Sequence, residues 1–126
     1  MKTHFTFKLA AAIVALVSAQ GALASPSGSW STTHYDFVTG AFINTTTVCF
    51  RKNGTAVEGV MKGTWKESGG VVLRRGYEQG GPAAYADVLT VIDDNNMTGY
   101  NQSWPRTLPA EGYYTSVVYT RLSSAC

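Results

Sequence analysis

The stretch that decides the fold is residues 49–75, which read CFRKNGTAVEGVMKGTWKESGGVVLRR. Short segments that contain Val, Thr and the single Trp65 alternate here with turn signals. Asn53-Gly54 is a dipeptide that strongly favours a two-residue hairpin turn, and Gly69-Gly70 provides the next turn. Because no segment carries a sustained 3.6-residue apolar repeat, the pattern predicts antiparallel β-strands.

The same pattern continues in both directions and predicts eight strands, at residues 29–37, 41–51, 55–60, 63–67, 71–77, 85–92, 97–104 and 113–122. Most connections are short, so consecutive strands are expected to be neighbours in a meander. A flat sheet of eight strands without helices would expose two edges and an apolar face. The sequence therefore predicts an all-β, up-and-down barrel, with a two-sheet β-sandwich as the alternative.

Residues 1–24 have a different character. Lys2 and Lys8 precede an apolar run at residues 9–17. Ala22-Leu23-Ala24 then has the small-x-small form that signal peptidase recognises. The run is shorter than the roughly 20 residues that a membrane-spanning helix needs. We therefore expect a signal peptide of bacterial type at 1–24, cleaved before Ser25, and a single exported domain at 25–126, either periplasmic or secreted.

Without Lys2 and Lys8, the remaining chain has eight basic and eight acidic side chains, so its formal charge is zero. This neutrality argues against a nucleic-acid partner. Strands of outer-membrane barrels need about 9–11 residues with an apolar outer stripe. The third to fifth predicted strands are nearer six residues, so membrane insertion is not expected.

The cysteines of the predicted domain are Cys49 and Cys126. Exported domains meet an oxidising compartment, so a structural disulfide between these two residues is expected. It would fix the end of the chain to its middle. A CxxC pair is absent from the sequence, and His34 is the only histidine of the predicted domain. A redox pair or a metal site is therefore not expected, and neither is a cofactor.

Gly28, Trp30 and Arg121 form a pattern that resembles the calycin barrels, the group that contains lipocalins and avidins. In that group a G-x-W on the first strand packs against a basic residue on the last. The resemblance implies that Trp30 and Arg121 stack at one barrel end. It does not extend to the avidin ligand residues. The chain also resembles small exported proteins of Burkholderia-type proteobacteria, which implies a compartment and no mechanism.

Sequence signals for catalysis are absent, since the chain has no GxSxG, HExxH or phosphate-binding glycine loop. His34 and Asp36 share a strand face, which allows a general acid/base pair, but a solvated pair is expected. Glu58, Glu67 and Asp87 leave a glycosidase-like carboxylate pair open as an alternative, but as isolated acids on strands they are expected to face solvent. Residues 93–96 (DDNN) lack the spacing of a calcium loop and predict a polar turn. No catalytic residue is therefore predicted.

The candidate binding residues are the aromatic side chains around the proline-containing connection 105–112, namely Tyr100, Trp104, Tyr113 and Tyr114. Tyrosine and tryptophan favour half-exposed places such as pocket mouths and interfaces. Two non-enzymatic functions are consistent with this pattern. One is a barrel that holds a small apolar or aromatic ligand. The alternative is a protein-interaction module, such as a secreted inhibitor or a surface antigen, with Trp104 as its anchor.

Overall fold

The protein is described by a computed structural model that covers residues 25–78, 84–104 and 113–126. The expected signal peptide and the connection at 105–112 lie outside the described residues. The described part contains eight antiparallel strands: β1 (Gly28–Asp36), β2 (Phe42–Phe50), β3 (Thr55–Glu58), β4 (Met61–Ser68), β5 (Val71–Glu78), β6 (Ala84–Asp93), β7 (Asn96–Trp104) and β8 (Tyr113–Ser123).

The strands follow one another around a closed barrel in chain order. Closure is made by β1 and β8, which pair antiparallel from Ser29↔Ser123 to Asp36↔Thr115. Every strand therefore has a neighbour on both sides, and the sheet has no free edge. The predicted up-and-down barrel is confirmed, and the β-sandwich alternative is wrong.

The boundary between β3 and β4 differs from the prediction. The sequence predicts one strand to residue 60 and the next from 63, but β3 ends at Glu58 and β4 begins at Met61. Gly59 has a φ of 57°, a conformation that glycine adopts without steric cost. A tight turn at Gly59-Val60 therefore joins the two strands.

The core occupies one end of the barrel. Successive residues of a strand point alternately inward and outward. The inward residues at this end form a continuous apolar cluster made of Trp30, Val48, Phe50, Ala56, Val72, Leu89, Met97, Val117 and Tyr119. Phe50 stacks on Tyr119, with ring centroids 5.9 Å apart. This end is therefore filled by side chains.

The same end is fixed by two further contacts. Cys49 and Cys126 form a disulfide with their Cα atoms 5.7 Å apart, as predicted. The guanidinium carbon of Arg121 lies 4.4 Å from the centroid of the Trp30 ring. Arg121 also donates hydrogen bonds to the carbonyl oxygens of Ser27 and Asp94. The stack implied by the G-x-W pattern is thus present, and the disulfide agrees with an oxidising, exported environment.

Within the described ranges, we find no helix of the length and apolar character that crossing a bilayer requires.

Candidate functional site

The end of the barrel opposite the core contains a cavity of about 620 Å³. Strand register explains its position: Trp30 pairs with Val48 in the core, whereas His34 pairs with Asn44 farther along the same two strands. The cavity is lined by His34, Ile43, Asn44, Thr46, Thr47, Glu58, Gly59, Val60, Met61, Tyr85, Asn101, Ser103 and Thr115. The barrel therefore has one filled end and one open end.

A buried guanidinium lies between the core and the cavity. Arg74 of β5 is 1% exposed and points inward beside Val72, while its neighbour Arg75 points outward and is exposed. Nη1 of Arg74 lies 3.0 Å from Oδ2 of Asp87, and Nη2 lies 2.7 Å from Oε1 of Glu58. A cation and two carboxylates thus form what we call the charged floor of the cavity: Arg74, Glu58 and Asp87.

Asp87 forms the inner part of the charged floor and is 1% exposed. Its carboxylate accepts hydrogen bonds from Arg74, from the Tyr119 hydroxyl and from the Asn101 amide. Burial, together with the Asp87 charge, raises the pKa of Tyr119 well above its usual value. Tyr119 therefore stays protonated and remains a donor to this carboxylate. The four residues form a connected polar network beneath the cavity.

Glu58 differs from Asp87 because it belongs to the cavity wall itself. It is at the end of β3, with its side chain 16% exposed. Burial alone would raise its pKa, but Arg74 and the hydrogen bond from the Thr46 hydroxyl hold the pKa of Glu58 below its usual value. Glu58 is therefore a carboxylate at neutral pH, and its charge reaches the cavity.

Tyr85 provides a hydroxyl without a partner. Its side chain is on β6, is 4% exposed and lines the cavity. The hydroxyl has no hydrogen-bond partner among the described residues. Gly76 faces Tyr85 across the β5–β6 ladder, and the Arg74 guanidinium carbon lies 4.2 Å from the Tyr85 ring centroid. Because a buried hydroxyl without a well-aligned partner is costly, a ligand that bonded to it would be favoured.

The same absence of a partner applies to Nε of Arg74 and the Thr32 hydroxyl, but neither residue lines the cavity.

His34 completes the polar wall on β1. Its Nδ1 lies 3.2 Å from the hydroxyl oxygen of Thr115 on β8. Burial lowers the pKa of His34, and this effect outweighs the opposing influence of Glu58 and Asp87. The imidazole is therefore neutral at pH 7, which leaves Nε2 available to a ligand.

Apolar side chains lie toward the outer part of the cavity. Ile43 of β2, Val60 of the β3–β4 turn and Met61 of β4 line the wall, and Ile43 and Val60 are exposed. The charged floor and this apolar rim together make the cavity amphipathic. It can bind a molecule with a polar group at one end and an apolar body.

Two of the candidate aromatic residues, Tyr100 and Tyr114, are not part of the lining of this cavity. Tyr100 and Tyr114 lie on the outer wall, 57% and 50% exposed, and both contact Phe37. We call Phe37, Tyr100 and Tyr114 the outer aromatic cluster. Trp104 and Tyr113 lie in β7 and β8, but their side chains are outside the described part of the molecule.

Sequence reasoning missed the charged floor, because Glu58 and Asp87 were expected to face solvent. The physical reason is that a cation from another strand accompanies them inside the barrel. Strand parity contained a usable signal, since Asp87 alternates in phase with Leu89, and Arg74 with Val72. A charged residue in phase with apolar core positions is a candidate for the interior of a barrel.

The expected solvated pair of His34 and Asp36 is also wrong. His34 contacts Thr115, whereas Asp36 accepts hydrogen bonds from the backbone amides of Val38 and Thr39 in the β1–β2 turn. These bonds lower the pKa of Asp36. Asp36 is therefore a turn residue that stabilises the backbone, and His34 alone belongs to the cavity.

Side chains suited to metal binding do not gather within the described residues, where no group of three or more His, Cys, Asp or Glu is found. What the cavity offers is a carboxylate, a neutral imidazole, hydroxyls and two amides next to apolar surface. Such a set suits reversible binding through hydrogen bonds and burial. The chain matches no protein-family model, no curated protein and no solved structure.

Proposed function

We propose that this protein is an exported, non-enzymatic binding protein that holds one small ligand in the open end of its barrel. The observation that carries the proposal is the cavity of about 620 Å³ in which the buried Tyr85 hydroxyl has no partner among the described residues. Ligand cavities commonly have volumes of about 300–1,000 Å³. The calycin-like architecture agrees with such a function, since a barrel of eight strands is able to hold one small ligand.

The proposed ligand has an apolar or aromatic body. Ile43, Val60 and Met61 provide the surface for this body at the rim. Removing apolar area from water contributes about 25 cal/mol per Å². The polar groups deeper in the cavity would then orient the ligand more than they would add to its affinity.

The test uses a neutral fluorescent probe, N-phenyl-1-naphthylamine, whose emission rises and shifts to the blue in apolar surroundings. We expect saturable binding at one site per chain. Met61→Trp fills the cavity from β4 and should weaken probe binding at least about tenfold, because the indole occupies the ligand volume.

The matched control is Thr64→Trp, which adds the same indole to the exposed, outer face of the same strand. It should bind the probe as the unmodified protein does. Equal affinity of the Met61→Trp variant and the unmodified protein would contradict the proposal, provided that both variants retain the β-sheet circular dichroism spectrum.

The second candidate function is a protein-interaction module. The outer aromatic cluster favours it, because Phe37 contacts both Tyr100 and Tyr114 while each of the three side chains is at least half exposed. It is the weaker candidate, since nothing in the described part of the chain indicates what would cover the cluster. Tyr100→Ser separates the two functions, because it removes a ring from the cluster and should leave probe binding in the cavity unchanged.

A further inference from the structure

The charges around the cavity do not balance. Glu58 and Asp87 contribute two negative charges, and Arg74 contributes one positive charge. His34 is neutral at pH 7 because burial lowers its pKa. The charged floor therefore carries one net negative charge at neutral pH.

The positively charged guanidinium of Arg74 is buried beneath the cavity and is not part of its lining. Arg74 is 1% exposed and does not line the cavity, because its two terminal nitrogens bind Asp87, Glu58 and Tyr119, and its face covers Tyr85. Glu58 does line it. A ligand in the cavity therefore meets a carboxylate, while both terminal nitrogens of the guanidinium are occupied by protein partners.

Three polar groups of the cavity wall can accept hydrogen bonds from a ligand. Glu58 accepts through its carboxylate, Tyr85 has an unpartnered hydroxyl oxygen, and His34 has a ring nitrogen, Nε2, that accepts when Nδ1 carries the proton. A primary ammonium group has three donors and no acceptor. It therefore complements this wall in both charge and hydrogen bonding, whereas a carboxylate ligand would be repelled.

We propose that the cavity selects amphipathic ligands that carry a protonated primary amine, with the ammonium group directed at Glu58 and the apolar body at the rim. This inference rests on the proposed function, because it requires a ligand in the same cavity. It adds the chemical class of the ligand, which volume and apolar lining leave open. A fatty acid or another anion of the same shape is disfavoured.

The test compares three compounds of equal chain length by isothermal titration calorimetry at pH 7: n-octylamine, 1-octanol and sodium octanoate. Octylamine should bind at least about tenfold more tightly than octanol, and octanoate more weakly than octanol. Each of the three compounds should also displace N-phenyl-1-naphthylamine, and this displacement would show that the compound binds in the cavity.

Two substitutions locate the origin of the preference. Glu58→Gln removes the negative charge and should bring octylamine and octanol to equal affinity. Because this change also removes the ion pair with Arg74, Asn44→Lys provides a second variant that leaves the charged floor intact. Asn44 lines the cavity on β2 and is exposed, so a lysine there should favour octanoate over octylamine.

The control for added charge is Thr45→Lys, on the exposed, outer face of β2. It should keep the amine preference. Probe displacement by all three compounds with equal affinities would overturn this inference and leave the proposed function standing. Absence of any cavity binding, of the probe or of the three compounds, would overturn both.

Discussion

Arg74 is the residue on which the interior of the barrel depends most. Its guanidinium is held by Glu58, Asp87 and Tyr119 and covers the Tyr85 ring. Removing a charge of this kind leaves its partners uncompensated in a buried site, which typically costs 3–5 kcal/mol. The stability of the fold and the charge of the cavity therefore depend on the same side chain.

Arg74→Met should lower the free energy of unfolding by about 3–5 kcal/mol, as measured by urea denaturation, because Asp87 loses its cation while it remains buried. Arg75→Met, one residue along β5 on the exposed face, is the matched control and should change stability by less than about 0.5 kcal/mol. Similar effects of the two substitutions would show that the charged floor does not stabilise the fold.

His34 should make amine binding depend on pH. The groups that surround it are Glu58, Asp87 and Arg74 from three other strands. Because burial lowers the pKa of His34, the imidazole gains a proton only as the pH falls below its usual range, and Glu58 remains ionised because its own pKa is lowered. Protonation places a positive charge beside the ammonium group.

Octylamine affinity should therefore fall several-fold between pH 7 and pH 5, whereas octanol affinity should stay constant in the same calorimetric titrations. His34→Gln keeps a hydrogen-bonding side chain toward Thr115 and should remove the pH dependence of octylamine binding. A decrease of the same size in His34→Gln would assign the titration to another group.

At the scale of the strands, two glycines shape the open end. Gly63 of β4 and Gly76 of β5 are paired and occupy inward positions. A Cβ atom on Gly76 would clash with the Tyr85 hydroxyl oxygen, and one on Gly63 would clash with the Arg75 carbonyl oxygen. The Tyr85 ring occupies the space that a side chain at Gly76 would need, as aromatic residues often do beside strand glycines.

Gly76→Ala should therefore displace the Tyr85 ring and lower the free energy of unfolding by about 1–3 kcal/mol, the range expected for overpacking. It should also weaken binding of N-phenyl-1-naphthylamine, because Tyr85 is part of the cavity wall. Urea denaturation and fluorescence titration measure the two effects. An increase in stability, as expected from alanine at an uncrowded strand position, would contradict this packing.

The strands themselves could be predicted from sequence because their signals are local. Asn53-Gly54 and Gly69-Gly70 mark turns, and alternating apolar residues mark faces. The turn at Gly59-Val60 was missed because Val60 and Met61 continue the apolar run. Local pattern thus determines which segments are strands, with errors where a glycine turn is flanked by apolar residues.

At the scale of the whole molecule, the site could not be predicted in the same way. Glu58, Arg74, Asp87 and Tyr119 come from four strands and meet only because the barrel closes. Parity indicates which face each residue occupies, but contacts across the interior depend on the register of every intervening strand pair. The Trp30–Arg121 contact could be predicted from sequence, because closure of the barrel places β1 and β8 side by side and the G-x-W pattern indicates the contact.

The disulfide stabilises the molecule as a whole because it closes a long loop, since Cys49 and Cys126 have a sequence separation of 77. Constraining the unfolded chain over such a loop contributes about 4 kcal/mol. The double variant Cys49→Ser/Cys126→Ser should lose about this free energy of unfolding in urea. Dithiothreitol should destabilise the unmodified protein equally and leave the double variant unaffected. An unchanged transition under reducing conditions would show that the bridge contributes nothing.

The most direct test of the central claim, that a ligand binds inside the barrel, is an isotope-filtered nuclear Overhauser spectrum of the labelled protein with N-phenyl-1-naphthylamine. We predict contacts from the probe to the Met61 methyl group and the Tyr85 ring, both of which line the cavity. Contacts to the outer aromatic cluster of Phe37, Tyr100 and Tyr114, without contacts to Met61 and Tyr85, would contradict it.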